Sequence, residues 1–230
     1  MMPRLLASLT LLVTLPVAAA TSRPVVVELF TSQGCSSCPP ADAYLSDLTQ
    51  NRTDVLPLAF HVTYWNNLGW KDPFSLDLAT QRQATYAQRF GDGSYTPEMV
   101  VDGATGLVGS DRSSAEIAIK NAKDAGLTAA PVSAVRKGNV ITVSVGAGSG
   151  NARVVLVGYD PQHVTTVGRG ENGGRTLKES NIVRSYQLIG QWSGKSVVFN
   201  PQVPIGEKGA VLLEAPDGHI VGAARVTDES

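Results

Sequence analysis

The two cysteines of this 230-residue chain are separated by only two residues, and they lie where a strand leads into a helix. The run before Cys35, residues 25–30, is largely apolar and β-branched, which predicts a buried strand. After Cys38, apolar residues recur at helical spacing over 41–48. A helix N-terminus presents free N–H groups and the positive end of its dipole, and both stabilise a thiolate. The pattern therefore favours a strand–helix unit with a reactive cysteine pair at its junction.

Two alternatives for the cysteine pair stay open: a structural disulfide, and a metal site completed by histidine. A bridge between residues so close in sequence removes little entropy from the unfolded chain, so it stabilises a fold weakly. The three histidines, His61, His163 and His219, show no spacing that would complete a ligand set. We therefore expect no metal and no cofactor.

From Pro24 onward the chain falls into two parts with different patterns. Segments over 24–127 alternate between strand-like and helix-like, a layout typical of an α/β domain. Residues 131–228 contain short strand-like runs separated by turns, without a convincing helical stripe. We therefore expect an α/β domain followed by an antiparallel β-rich, sandwich-like domain.

Residues 1–20 have the pattern of a secretory signal peptide. The basic residue Arg4 precedes an apolar run, and small residues end at Ala20, near which cleavage is expected. The run is shorter than the roughly 20 apolar residues of a membrane span, and no later segment is long and apolar enough, so we expect no stable membrane anchor. The mature protein would be periplasmic or secreted, where cysteine pairs form or exchange disulfides.

The charge composition excludes a generally basic nucleic-acid binder. The chain has 19 Lys+Arg against 20 Asp+Glu, and its basic residues are scattered along the sequence. A G-x-G-x-x-G string lies at 168–173, but no helix opens after it, so it does not indicate a dinucleotide site. We favour a hairpin loop that carries Arg169, Glu171 and Arg175. Such a loop could face the cysteine pair.

Several segments resemble known families. Residues 95–101 place a proline directly before a strand, which resembles the thioredoxin superfamily. More narrowly, four segments resemble the DUF1223 family, exported bacterial proteins with a thioredoxin-like domain; they are 26–42, 61–75, 95–103 and 170–184. The resemblance implies a thioredoxin-like domain over 24–127, followed by the sandwich-like domain over 131–228. Glu98 departs from the family pattern, which usually has glutamine there.

The thioredoxin resemblance also implies roles for individual residues. A cis-proline at Pro97 would pack opposite the cysteines and help hold the substrate chain, with Thr96 offering backbone hydrogen bonds. Glu28 would handle a proton for the second cysteine; otherwise it is a strand glutamate that faces solvent or pairs with a basic residue. Trp65 lies in a loop rich in aromatic residues, 64–74, termed the aromatic loop below. It either forms part of a peptide-binding rim or folds over the core.

These patterns together predict an exported thiol–disulfide oxidoreductase that exchanges disulfides with partner proteins through Cys35 and Cys38. Cys35, expected nearer the helix start and further out, would attack, and Cys38 would resolve the mixed disulfide. The partners would be protein thiols or disulfides and a redox partner protein that resets the pair. The alternative is a non-catalytic binding module whose cysteine pair is inert or holds a metal. Redox direction and oligomeric state stay open.

Overall fold

The computed structural model describes residues 23–229, so the signal peptide predicted at 1–20 lies outside the described residues. The strands in this range are β1 (Val25–Thr31), β2 (Val55–His61), β3 (Glu98–Val101), β4 (Thr105–Val108), β5 (Val132–Lys137), β6 (Val140–Val145), β7 (Ala152–Thr166), β8 (Thr176–Trp192), β9 (Val197–Phe199), β10 (Lys208–Glu214) and β11 (Ile220–Asp228). The helices are α1 (Pro39–Asn51), α2 (Asp77–Phe90) and α3 (Arg112–Ala125). None of these helices is long and apolar enough to cross a bilayer.

One mixed sheet of eleven strands runs through the described chain, in the order β4-β3-β1-β2-β8-β7-β10-β11-β5-β6-β9. Strand β1 lies parallel to β2 and antiparallel to β3. The α1 helix connects the parallel strands β1 and β2, which makes a βαβ unit. The prediction of a mixed α/β chain is confirmed, with the helices confined to its N-terminal part.

The sheet continues across the boundary expected between the two parts of the chain. Strand β8 pairs in parallel with β2 through Ala59 and Ile182, and its other edge forms a long antiparallel hairpin with β7. The C-terminal part is not purely antiparallel, because β11 lies parallel to β5. This corrects the all-antiparallel prediction. Turn signals locate strands along the chain, but they do not tell which distant strands pair.

Alternation along the strands divides the apolar side chains among three cores. On β1, Phe30 faces the core beside α2, whereas Leu29 faces the core beneath α1 and α3. On β7, Val155 joins the same core as Phe30, whereas Leu156 joins a third core with residues of β5 and β6. The first core therefore contains residues from both parts of the chain, and it holds the end of β1 in place.

Candidate functional site

The cysteine pair lies in the loop between the carboxyl end of β1 and the start of α1. The sulfurs of Cys35 and Cys38 are 2.16 Å apart, forming a disulfide. Cys38 is the N-cap residue of α1, and its carbonyl accepts hydrogen bonds from the amides of Ala41 and Asp42. The sequence pattern predicts Cys35 nearer the helix start; the structure corrects this, because α1 begins at Pro39.

Both cysteines are buried, with a relative exposure of 0%. The two residues between them, Ser36 and Ser37, are exposed. The expectation that Cys35 lies further out is therefore wrong for the disulfide form. Residues that are distant in the sequence cover Cys35, and a local sequence pattern does not reveal such neighbours.

The residues predicted to bind substrate lie together beside the disulfide. The Thr96–Pro97 peptide bond is cis, as the resemblance implies. The Ser37 hydroxyl donates to the Thr96 carbonyl at 3.4 Å, and the Trp65 indole N–H donates to Thr96 Oγ1 at 2.8 Å. Trp65 is half-buried and packs against the core, so it is a fixed wall of the site. The structure therefore brings Thr96, Pro97 and Trp65 to the cysteine pair.

The loop between β7 and β8, residues 168–174, covers the cysteine segment and is termed the covering loop below. Its Asn172 is only 1% exposed. The Asn172 side-chain amide donates to the carbonyl of Gln33 at 3.0 Å and to that of Cys35 at 2.8 Å. The carboxylate of Glu171 accepts a hydrogen bond from the Ser36 amide at 3.1 Å. The G-x-G-x-x-G string is thus a hairpin loop, and it faces the cysteine pair.

Close contact between the covering loop and the aromatic loop depends on glycine. Gly69 and Gly170 adopt φ angles of +103° and +79°, which side chains rarely adopt. A Cβ on Gly170 would lie 3.2 Å from the Trp70 Cβ, and a Cβ on Gly69 would lie 3.1 Å from the Gly170 Cα. Glycine at both positions lets the two loops pack backbone to backbone and fixes the position of the cover.

Four buried titratable residues, Asp42, His61, Asp72 and Glu179, form an acid–histidine cluster linked to the cysteine segment. His61 Nδ1 lies 2.7 Å from Asp72 Oδ2, and His61 Nε2 lies 3.9 Å from Glu179 Oε1. The Gln33 amide donates to Asp72 at 2.8 Å, and the Gln33 side chain donates to Glu179 at 2.7 Å. Through Gln33, the cluster is two residues from Cys35 along the chain.

The cluster members shift one another's pKa values in different directions. Burial would lower the His61 pKa, but the charges of Asp72 and Glu179 raise it to about 9. Burial and the charge of Glu179 raise the pKa of Asp42 to about 7, and burial raises the pKa of Glu179. Burial opposes the shift at Asp72, but the His61 charge and hydrogen bond keep that pKa below its ordinary value. The cluster can therefore store a proton near neutral pH.

Sequence reasoning missed this cluster, since it did not consider His61 as a partner of buried acids. The four residues come from helix α1, from the end of β2, from the following loop and from β8. One signal could have found them: they all fall within the segments 26–42, 61–75 and 170–184 that carry the family resemblance.

Glu28 forms an ion pair and has no hydrogen bond to the cysteines. Arg82 Nε and Nη2 donate to its two carboxylate oxygens at 2.5 and 3.0 Å, and the Tyr86 hydroxyl donates at 2.5 Å. Arg82 also contacts Glu214 at 2.7 Å. Because strand residues alternate, Glu28 shares the α2 face of β1 with Phe30, whereas α1 lies on the other face. The geometry supports the alternative in which Glu28 pairs with a basic residue.

Glu98, directly after Pro97, is a further buried acid of the site. Its Oε2 accepts a hydrogen bond from Gln83 at 2.8 Å, whereas its Oε1 has no hydrogen-bond partner within residues 23–229. Burial raises the Glu98 pKa to about 7, although the Gln83 bond opposes this shift. The glutamine that the resemblance leads us to expect here would have a similar shape without the titratable proton.

We expect the Asn172→Ala variant to open the cover over the disulfide. The change removes the donor to two carbonyls at a buried position, worth about 2 kcal/mol. If about 1.4 kcal/mol of this lowers the cost of opening, reduction of the disulfide by dithiothreitol becomes about tenfold faster. Stopped-flow reduction with trapping of the thiols measures this rate. The exposed Asn200→Ala variant should match the wild type, and an unchanged rate in Asn172→Ala would contradict the covering role.

Comparisons with known proteins give one family and two structures of similar fold. The family described as "Protein of unknown function (DUF1223)" matches residues 26–213. A crystal structure of a protein from Agrobacterium tumefaciens is 32% identical, with a TM-score of 0.79, over 91% of this chain and 96% of that chain. HBP35 of Porphyromonas gingivalis is similar in fold, at 13% identity and a TM-score of 0.59, over 89% of this chain and 74% of that one. Among curated proteins, no significant match is found.

Proposed function

Since this chain belongs to the DUF1223 family, we propose that it is an exported thiol–disulfide oxidoreductase acting through Cys35 and Cys38. The observation that carries the proposal is a disulfide at the N-cap of α1, beside Pro97 and linked through Gln33 to buried titratable groups. A cysteine pair of this spacing at the helix of a βαβ unit is typical of thioredoxin-like redox proteins. We accordingly propose that residues 24–127 are thioredoxin-like and that 131–228 form a sandwich-like domain.

The exchange proceeds in two balanced steps. The Cys35 thiolate attacks one sulfur of a partner disulfide, a mixed disulfide forms, and the partner's other sulfur leaves as a thiolate. The Cys38 thiolate then attacks the Cys35 sulfur, which restores the bond between Cys35 and Cys38 and releases the second partner thiolate. A redox partner protein reduces the pair for the next cycle, and the same steps in reverse oxidise a dithiol.

Three features of the site would assist these steps. The N-terminal end of α1 lowers the pKa of a thiol near it, which favours the attacking thiolate. The acid–histidine cluster, with Asp42 near pKa 7, could accept the proton that a thiol releases. The half-buried Thr96 and the Trp65 wall would position a peptide beside the sulfurs. Together they would supply activation, proton transfer and orientation.

The burial of both cysteines favours the alternative, in which the pair is inert within a non-catalytic binding module. A disulfide without solvent exposure exchanges only when its cover opens. The metal-holding version lacks a ligand set, because no group of three or more His, Cys, Asp or Glu side chains in residues 23–229 is arranged to hold a metal ion. An experiment on the reduced protein distinguishes the redox protein from the inert module.

The experiment uses the fully reduced protein and Ellman's reagent, an aromatic disulfide that releases a coloured thiolate. Reduced wild type should release two thiolates per molecule, the second when Cys38 displaces the adduct from Cys35. The Cys38→Ser variant should release one and keep a stable adduct on Cys35, which mass spectrometry identifies. The Cys35→Ser variant should react at least tenfold more slowly, since the remaining thiol is not at the attacking position.

Two results would contradict the oxidoreductase. One is a wild-type disulfide that no physiological dithiol reduces, and the other is equal reactivity of Cys35→Ser and Cys38→Ser.

Export has its own test: the mature N-terminus of protein purified from a periplasmic or culture fraction should lie near residue 21, beyond Ala20. Full-length protein found only in the cytoplasm would contradict export.

A further inference from the structure

The charged groups in contact with the cysteine segment have one sign. Within the described chain, each charged side chain that hydrogen-bonds residues 31–37 is an acid. Thr31 contacts Asp42, Gln33 contacts Asp72 and Glu179, and Ser36 contacts Glu171. Three of these acids are buried, whereas Glu171 is exposed at the mouth of the site. A molecule that approaches the disulfide from solvent therefore encounters an exposed carboxylate that is hydrogen-bonded to the backbone between the two cysteines.

One hydrogen bond and an anchored loop orient Glu171 toward the cysteine segment. Its carboxylate accepts a hydrogen bond from the Ser36 amide, between the two cysteines in sequence. The neighbouring Asn172 anchors the covering loop to two carbonyls, and Gly170 packs against Trp70 on the other side. The hydrogen bonds from Ser36 lower the Glu171 pKa, so the group is an anion at neutral pH.

Within residues 23–229, no basic side chain pairs with this carboxylate. The influences on its pKa are the Ser36 hydrogen bonds and burial, with no basic side chain among them. The cation His61 is occupied by Asp72, at 2.7 Å. Arg175, at the other end of the covering loop, donates to the Asn172 side-chain oxygen at 2.8 Å. The negative charge at the mouth is therefore available to act on a substrate.

We propose that Glu171 makes the disulfide selective for thiols carried on cationic polypeptides, in which lysine or arginine flanks the reacting cysteine. The inference rests on the proposed function and names its substrate class. An attacking thiolate is itself an anion, so a fixed carboxylate beside the sulfurs slows it, and a basic neighbour on the substrate offsets that repulsion. One unit charge about 6 Å from another in water changes a rate by roughly threefold.

The test reduces the wild-type disulfide with small thiols of similar size and different charge. Cysteamine is cationic, 2-mercaptoethanol is neutral and 3-mercaptopropionate is anionic. In each case the thiolate attacks a sulfur of the pair, the protein thiolate leaves, and a second thiol completes the reduction. At low ionic strength, the rate constant of reduction per thiolate should fall about tenfold from cysteamine through 2-mercaptoethanol to 3-mercaptopropionate. This span of rates should shrink in 1 M salt. Lys-Cys-Lys and Glu-Cys-Glu tripeptides should repeat the order.

The Glu171→Gln variant keeps an oxygen that can accept from Ser36 but has no charge, so its span should shrink to threefold or less. Glu207→Gln, a change at another exposed glutamate, should keep the wild-type span. Failure of the proposed function and failure of the charge selectivity give different results. A disulfide that none of these thiols reduces contradicts the proposed function, whereas reduction at rates that ignore charge, or a full span in Glu171→Gln, contradicts only the selectivity.

Discussion

The His61→Gln variant is expected to lose about 3–5 kcal/mol of unfolding free energy near pH 6, because it removes the cation from a buried group of acids. His61 is fully buried, and its ring lies 2.7 Å from Asp72 and 3.9 Å from Glu179. Without the imidazolium, Asp72 keeps a buried negative charge or must take up a proton. Chemical denaturation of the disulfide-bonded protein measures the loss.

The size of this loss should depend on pH in a defined direction. The folded-state pKa of His61 is about 9, above its ordinary 6.5. Its contribution is therefore complete below pH 6.5 and is lost as pH rises through 9. Asp42, raised from 3.8 to about 7, acts in the same direction at lower pH: its contribution is complete below pH 3.8 and is lost as pH rises through 7. The difference between wild type and His61→Gln should thus be largest near pH 6 and smaller at pH 9.5.

A matched control is available in His219, whose Nδ1 lies 3.6 Å from Asp217 at side-chain exposures of 38% and 66%. The His219→Gln variant should lose at most about 1 kcal/mol, because solvent screens an exposed ion pair. Equal losses in the two variants would contradict a special electrostatic role for His61. A His61→Gln deficit that stays constant from pH 6 to pH 9.5 would contradict the raised pKa.

The Arg82→Met variant should also be destabilised by about 3–5 kcal/mol, with no change in disulfide reactivity. Arg82 lies between two acids, Glu28 at 2.5 Å and Glu214 at 2.7 Å. Glu28 is fully buried, so removing its partner leaves an uncompensated charge. Methionine keeps much of the side-chain length, so lost packing contributes little to the difference. Denaturation curves measure stability, and dithiothreitol reduction measures reactivity.

A double variant separates the charge effect from a simple packing defect. Adding Glu28→Gln to Arg82→Met removes the unpaired charge and should recover at least about 1 kcal/mol. The Arg112→Met control breaks an exposed pair with Asp47, 54% exposed on each side, and should cost at most about 1 kcal/mol. If Glu28→Gln alone changed the reduction rate several-fold, Glu28 would be acting on the cysteines after all.

Local patterns predicted several parts of the site correctly. Apolar residues in 25–30 indicated the strand, and apolar residues at helical spacing over 41–48 indicated the helix after the cysteines. The expectation of a cis-proline at Pro97 beside the cysteines came instead from the thioredoxin resemblance. The strand and helix inferences succeed because strand alternation, helix capping and turn chemistry depend on residues a few positions apart.

The thioredoxin resemblance assigned Glu28 a role at the second cysteine by its sequence position, whereas the structure pairs Glu28 with Arg82. One position along a strand reverses the face to which a side chain points. Glu28 lies on the face of β1 that packs against α2, and its carboxylate forms an ion pair with Arg82 there. An arginine 54 residues later could have been proposed as a partner only with the packing of α2 on β1 already known.

The strand before the cysteines and the helix after them were readable along the chain, because each depends on nearby residues. The cover over the disulfide and the acid–histidine cluster were not. Both depend on β8 joining β2, which brings Glu179 and Asn172 to Gln33, 146 and 139 positions earlier in the chain. Burial and strand pairing across the whole sheet determine the contacts at such separations. These contacts cover the disulfide and place acids beside it, whereas the sequence predicted an exposed thiol pair.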